Sequence, residues 1–174
     1  MLCSVCSEST LQDNLIIVFA STMQKSSSSV DLPCIGWREW LALPQLGIES
    51  IKVKIDTGAR SSALHAFDIE RFQQGGKTML RFKVHPVQKD DRTYITAEAE
   101  LFEDRQVRDS GGHAEFRPVI QTEVCLGEYQ WPLELTLTNR SSMGFRMLLG
   151  RQAIRQRFVI DSGQSYLLSA NKEN

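Results

Sequence analysis

Asp56-Thr57-Gly58 is the stretch whose residue types could do chemistry. A carboxylate can act as general base on a water, glycine permits a sharp backbone turn behind it, and a threonine hydroxyl can hydrogen-bond across a symmetric contact. The triplet can therefore hold Asp56 rigid with its carboxylate pointing outward. Hydrolysis by this route needs two carboxylates. Like charges about 3 Å apart cannot both ionise, so the pair shares one proton, and one member activates water while the other polarises a carbonyl. Two further triplets, Asp109-Ser110-Gly111 and Asp161-Ser162-Gly163, could offer the second carboxylate, since serine can replace threonine. Asp161 follows the apolar run Phe158-Val159-Ile160, whereas Asp109 follows Gln106-Val107-Arg108, and both read more simply as turns at strand ends. A two-fold homodimer that sets Asp56 opposite its symmetry mate is the simpler solution.

The elements that must position Asp56 are strands. Ile51, Val53 and Ile55 alternate with Lys52 and Lys54, the period of a strand buried on one face, and this strand runs into Asp56. Later, Phe145-Arg146-Met147-Leu148-Leu149-Gly150 reads as a second apolar strand that opens into a helical run over Gln152 to Arg157. Further strands are expected over Ile35 to Leu41, Thr78 to Val87, Thr93 to Phe102, Glu115 to Leu126 and around Trp131 to Leu137. Within Thr78 to Val87, Leu80, Phe82 and Val84 share one face, and Arg81, Lys83 and His85 lie on the exposed one. Many short strands divided by turns predict an all-β, closed barrel with one short helix.

Five segments carry a resemblance to a known family. They are Gly36-Trp37-Arg38-Glu39-Trp40, Lys54 through Ala66, Val107 through Gly112, Leu135 through Arg140, and Met143 through Arg151. Together, over roughly Cys34 to Leu168, the chain resembles the bacterial retropepsin-like aspartic peptidases usually labelled "putative ATP-dependent zinc protease". The resemblance implies a retropepsin-like acid-protease barrel, with Asp56 as catalytic carboxylate, Thr57 and Gly58 fixing its geometry, and the Leu148-Leu149-Gly150 segment packed behind the loop. It also implies a functional link to glutamate-adding ATP-grasp ligases, and hence an acidic peptide or glutamate-tailed protein as substrate. The sequence has no Gly-x-x-x-x-Gly-Lys-Ser/Thr loop and no His-Glu-x-x-His, so neither a nucleotide cofactor nor a metal is expected.

Charge distribution points the same way. Between Leu135 and Ile160 there are five arginines (Arg140, Arg146, Arg151, Arg155, Arg157) and no acid. Arginine's planar fork binds carboxylates bidentately, so arginines around the cleft favour an acidic peptide. The substrate-binding candidates are Arg60, Ser61, Ser62, His65, His113, Arg117, Arg140, Arg146 and Arg151. Arg155 and Arg157 read instead as a solvated helix face, and for the arginines inside the motifs structural ion pairing stays open. His65, His85 and His113 are too scattered for a zinc site. Two other readings remain: a non-catalytic, Arg-lined module that binds acidic peptides, and the zinc-dependent peptidase of the family label.

The 174 residues suit one domain with a sizeable core. Residues 1–32 are expected to be a disordered leader containing Ser26 to Ser29, with Met23 an alternative initiator; residues 33–170 form the domain and 171–174 a tail. A net charge of −1 argues against a nucleic-acid partner. No apolar run is long enough for a membrane span, and no positive charge precedes Leu15 to Ala20, so a secretory signal is not expected. Cys3 and Cys6 in the leader, with Cys34 and Cys125, form no disulfide framework and suggest a reduced, cytoplasmic protein.

Overall fold

A computed structural model describes residues 31–108, 112, 114–141 and 143–169. Among the described residues there are twelve strands, one α-helical turn and a 3-10 turn at Pro44–Leu46: β1 (Cys34–Gly36), β2 (Arg38–Leu43), β3 (Ile48–Asp56), β4 (Ser62–His65), β5 (Phe67–Gln74), β6 (Lys77–Val84), β7 (Ile95–Glu100), β8 (Glu103–Arg108), β9 (Ala114–Leu126), β10 (Tyr129–Thr138), β11 (Met147–Gly150), α1 (Arg151–Ile154) and β12 (Val159–Asp161). The expected all-β class with one short helix is what is found, although the helix is one turn and ends before Arg157. Arg155 has already left helical geometry at ψ 129°, and Gln156 after it takes a positive φ of 62°.

The main sheet runs β10-β4-β11-β3-β2-β9-β8, and β10 also pairs with β9, so the sheet closes into a ring. Its interior is filled by the alternating apolar positions of these strands, among them Ile51 and Val53 of β3, Leu64 of β4, Leu135 and Leu137 of β10, and Met147 and Leu149 of β11. Each fully buried side chain of this kind contributes about 1.5–3 kcal/mol. A separate three-stranded sheet, β5-β6-β7, joins the same core through Leu80, Phe82, Val84 and Ala97. Its outer face carries matched charges such as Lys77 with Glu100 and Arg81 with Glu98.

β1 pairs with β12 in parallel, Ile35 opposite Ile160. After β12 the chain lies along the first half of β2, before β2 meets β9 at Ala42 and Cys125. Trp37 N–H donates to the Gln164 carbonyl and Tyr166 N–H to the Arg38 carbonyl, each at 2.9 Å. The fully buried Glu39 carboxylate accepts from the backbone N–H of Gly36 (2.8 Å), Leu167 (2.9 Å) and Ser169 (3.1 Å). Those three bonds offset the cost of burying its charge. The Gly36 to Trp40 motif is thus the seat of the 164–169 strap; a Cβ on Gly36 would stand 2.5 Å from the Gln164 carbonyl oxygen.

One placement read from alternation is corrected. β6 ends at Val84, and His85 is buried rather than on an exposed face. Its ring stacks on Phe67 at 4.4 Å and on His65 at 5.5 Å between centroids, and its Nδ1 meets the Thr93 carbonyl at 3.0 Å. Residues 1–30, which include Cys3, Cys6 and Met23, lie outside the described residues, as do His113, Asp109, Ser110 and Gly111.

Candidate active site

Asp56 is the last residue of β3, and its carboxylate is fixed by the turn that follows. Oδ1 accepts from the backbone N–H of Gly58 at 3.1 Å and of Ala59 at 3.0 Å. Oδ2 has no hydrogen-bond partner among the described residues, so one carboxylate oxygen is held and the other is open. Gly58 does not adopt a positive φ. What it supplies is clearance, because a Cβ there would lie 3.3 Å from Asp56 Oδ1.

β11 runs parallel to β3 directly beside it, with Leu149 opposite Ile55 and Gly150 opposite Asp56. The chain beyond β11 clamps the loop. Arg151 N–H donates to Ala59 at 2.8 Å, Gln152 N–H to Arg60 at 3.1 Å, and the Arg151 guanidinium to the Thr57 carbonyl at 2.8 Å. Gly150 N–H donates to Ser62 Oγ at 3.0 Å. A Cβ on Gly150 would fall 2.5 Å from the Ser61 carbonyl, so only glycine lets the two segments meet. The expectation of an apolar-apolar-glycine strand packed behind the loop is met in this detail.

The remaining candidates divide by burial. Ser62, His65 and Arg146 are buried. The Ser62 hydroxyl is taken by Gly150. Arg146 pairs with Asp91 and also donates to the Ser141 carbonyl at 3.4 Å. His65 Nδ1 accepts from Arg140 N–H at 2.9 Å. These three are buried and engaged with other parts of the domain. Burial first, then the charge of Arg146 and the neighbouring His85, push the His65 pKa down to about 4, with Asp91 opposing.

Arg60 and Arg151 are exposed. Ser61 is half-buried, and its hydroxyl accepts from Arg105 at 3.3 Å, an arginine that sequence reading passed over. Arg117 is partly buried and pairs with Glu115 beside it on β9. Arg140 is half-buried and donates through Nε to the Phe145 carbonyl at 3.3 Å. Its pKa is lowered by burial and then by Arg117, while the negative charge of Asp56 acts in the opposite direction. Thus Asp56, Arg117 and Arg140 share one electrostatic neighbourhood.

A cavity of about 220 Å³ lies at Ser61, bounded also by Leu133, Glu134, Gln152 and Arg157. Neither Asp56 nor Arg140 borders it, so it is separate from the carboxylate. Among the described residues no group of three or more His, Cys, Asp or Glu is placed to hold a metal. The His65 and His85 rings stack 5.5 Å apart, and each Nδ1 is engaged with backbone, His85 with Thr93 and His65 with Arg140. Two histidines without a third ligand among the described residues do not make up the three or four ligands of a zinc site.

A family model described as RimB-like, retropepsin-like aspartic endopeptidase RimB, matches residues 34–171. The chain belongs to the RimB-like family. It is 46% identical over 134 residues to a probable alpha-L-glutamate ligase of Parasynechococcus marenigrum, covering 77% of this chain and 29% of that protein. A probable alpha-L-glutamate ligase of Desulfotalea psychrophila is 41% identical over 149 residues, with 85% and 32% covered. The RimB-like chain therefore spans about a third of the length of these relatives. It also resembles the crystal structure of a Legionella pneumophila protein of unknown function, with a TM-score of 0.64, 26% identity, and 79% and 98% of the two chains covered. Among the described residues of the RimB-like domain, no helix is long and apolar enough to cross a membrane.

Proposed function

We propose that this RimB-like domain is an aspartic endopeptidase that works as a homodimer on acidic, glutamate-tailed peptides. The carrying observation is Asp56, one oxygen bound by two backbone N–H groups and the other open at the end of a strand braced by β11. Each chain supplies one such carboxylate, and a two-fold axis through the loop brings in the second. The protonated member of the pair donates a hydrogen bond to the scissile carbonyl oxygen. The ionised member takes a proton from the water between them as the water oxygen bonds to the carbonyl carbon. That proton passes to the amide nitrogen, the C–N bond breaks, and a carboxylic acid and an amine leave.

Support for the acidic substrate comes from the relatives, named as glutamate ligases, and from the arginines around Asp56. A ligase of that name and a peptidase acting on its product would share one substrate chemistry. The test is cleavage of an α-linked oligoglutamate-tailed peptide, read by mass spectrometry, for wild type and Asp56→Asn, with sedimentation measured in parallel. Cleavage that Asp56→Asn retains at the wild-type rate would sink the aspartic mechanism. A monomer that binds the peptide and cuts nothing would favour a second reading, an Arg-lined binding module in which Asp56 braces the cations; the half-buried Arg140 in the electrostatic neighbourhood of Asp56 is the observation behind it.

A further inference from the structure

Most buried or half-buried arginines in the domain have a carboxylate. Arg146 has Asp91, Arg105 has Glu134 and Glu103, and Arg117 has Glu115. Arg140 differs. Among the described residues no acidic side chain pairs with it, although it is half-buried and lies near a second cation. A partly desolvated guanidinium without a counter-charge is costly unless an anion arrives to complete it.

Its geometry is also prepared. The backbone N–H is tied to the buried His65 ring at 2.9 Å, and Nε is tied across its own loop to the Phe145 carbonyl at 3.3 Å. These two bonds fix the stem and the inner edge of the guanidinium. The two terminal nitrogens, Nη1 and Nη2, have no partner among the described residues and present the parallel pair of donors that matches a carboxylate. His65 is in turn locked on β4, the strand that leaves the Asp56 loop, and the pairing of β4 with β10 places Thr138 opposite His65. The loop that carries Arg140 is thereby set by the same strands that set Asp56.

We propose that Arg140 is the specificity residue of the site, binding a side-chain carboxylate of the substrate next to the bond that Asp56 attacks, with His65 as its positioning residue. This rests on the peptidase reading and deepens it, since it names which residue selects glutamate. The charge of Asp56 acts on Arg140 from nearby, but no hydrogen bond or ion pair joins the two among the described residues, so the guanidinium fork stays available. Arg117, paired with Glu115, raises the positive potential without offering a free fork.

The experiment compares kcat/KM on two matched peptides, one with an α-linked tetraglutamate tail and one with a tetraglutamine tail, for wild type, Arg140→Gln and Arg140→Lys. Wild type is expected to prefer the glutamate tail by about 30-fold, a size set by one charge-assisted, bidentate contact. Arg140→Gln brings the ratio to within about threefold of unity, and Arg140→Lys, which keeps the charge and loses the fork, falls between. An unchanged glutamate-to-glutamine ratio in Arg140→Gln overturns the proposal, including the case in which both peptides slow equally, since that outcome would show Arg140 acting on Asp56 rather than on substrate. If wild type cuts neither peptide, the peptidase reading has failed separately. The Arg140 proposal is then decided by titrating the tetraglutamate peptide into Asp56→Asn and into Asp56→Asn combined with Arg140→Gln. Equal affinities refute it, and a loss of about 30-fold supports it.

Discussion

The domain contains two loops that look alike from nearby. At Asp56-Thr57-Gly58 the glycine N–H reaches its aspartate Oδ1 at 3.1 Å; at Asp161-Ser162-Gly163 it does so at 2.8 Å. In both, a Cβ on the glycine would stand 3.3 Å from that oxygen. Their surroundings differ completely. Asp56 ends a nine-residue strand inside the ring, receives a second N–H from Ala59 and is clamped by Gly150, Arg151 and Gln152. Asp161 ends a three-residue strand in a two-stranded sheet and is exposed. The turn is a local device that any Asp-x-Gly can form. A rigid, reactive carboxylate needs the long-range packing behind it.

The first way to break that comparison is to neutralise each aspartate. Asp56→Asn should lower peptide cleavage by about a thousandfold, the scale of lost general-base catalysis. Asp161→Asn should leave kcat/KM within about twofold, because surface changes away from a site are small. Equal losses in the two variants would show that the loops are equivalent after all.

The next is to fill the glycines that back them. Gly150→Ala forces a methyl against the Ser61 carbonyl, at 2.5 Å from backbone that cannot swing away, and should cost about 3 kcal/mol in urea unfolding. Gly163→Ala meets only the Asp161 carboxylate at 3.3 Å and should cost less than about 1 kcal/mol.

Acid titration sharpens the contrast, because the buried His65 lies on β4, the strand that leaves the Asp56 loop. The His65 pKa falls from 6.5 in the unfolded chain to about 4 in the fold. Between those values the unfolded state binds the proton and the native state does not, so stability is complete above pH 6.5 and declines as pH falls toward 4. The decline attributable to His65 is at most about 3 kcal/mol. Denaturant midpoints of wild type and His65→Phe from pH 7.5 to pH 4 should converge toward the acid end; parallel curves would contradict this account.

A small effect is expected on the clamp. Arg151→Ala removes one exposed side-chain bond to the Thr57 carbonyl and should cost about 1 kcal/mol, while the corresponding backbone bonds from residues 151 and 152 persist. A stability indistinguishable from wild type would leave Arg151 without a bracing role.

The Asp56 loop was legible in the sequence because its signals are local and strongly patterned. Ile51, Val53 and Ile55 alternate, the triplet follows, and Leu148-Leu149-Gly150 repeats the apolar approach. β4 was not legible as a strand: its four residues are all buried, so Ser62 to His65 show no alternation to read. β8 was missed for the opposite reason, since Glu103 to Arg108 is a charged strand at the end of the main sheet, where only one side is paired. His85 was misplaced because alternation was extended past the strand's end. The partners of the arginines, Asp91 for Arg146 and Glu134 for Arg105, lie far away in the chain, and nothing in spacing could assign them. Ala59, the second donor to Asp56, contributes a backbone N–H, which no residue type announces.

The strap over β2 also sets an order of events. Glu39 is wrapped by N–H groups from residues 167 and 169, and Ile35 of β1 sits beside Ile160 of β12. During synthesis, the opening segment of the domain has to wait for the closing one, holding a solvated carboxylate and an uncovered strand edge until residues 159–169 have emerged from the ribosome. Such end-to-end contacts make for late, slow closure, and a nascent chain stalled before residue 159 leaves a sheet edge open to other chains.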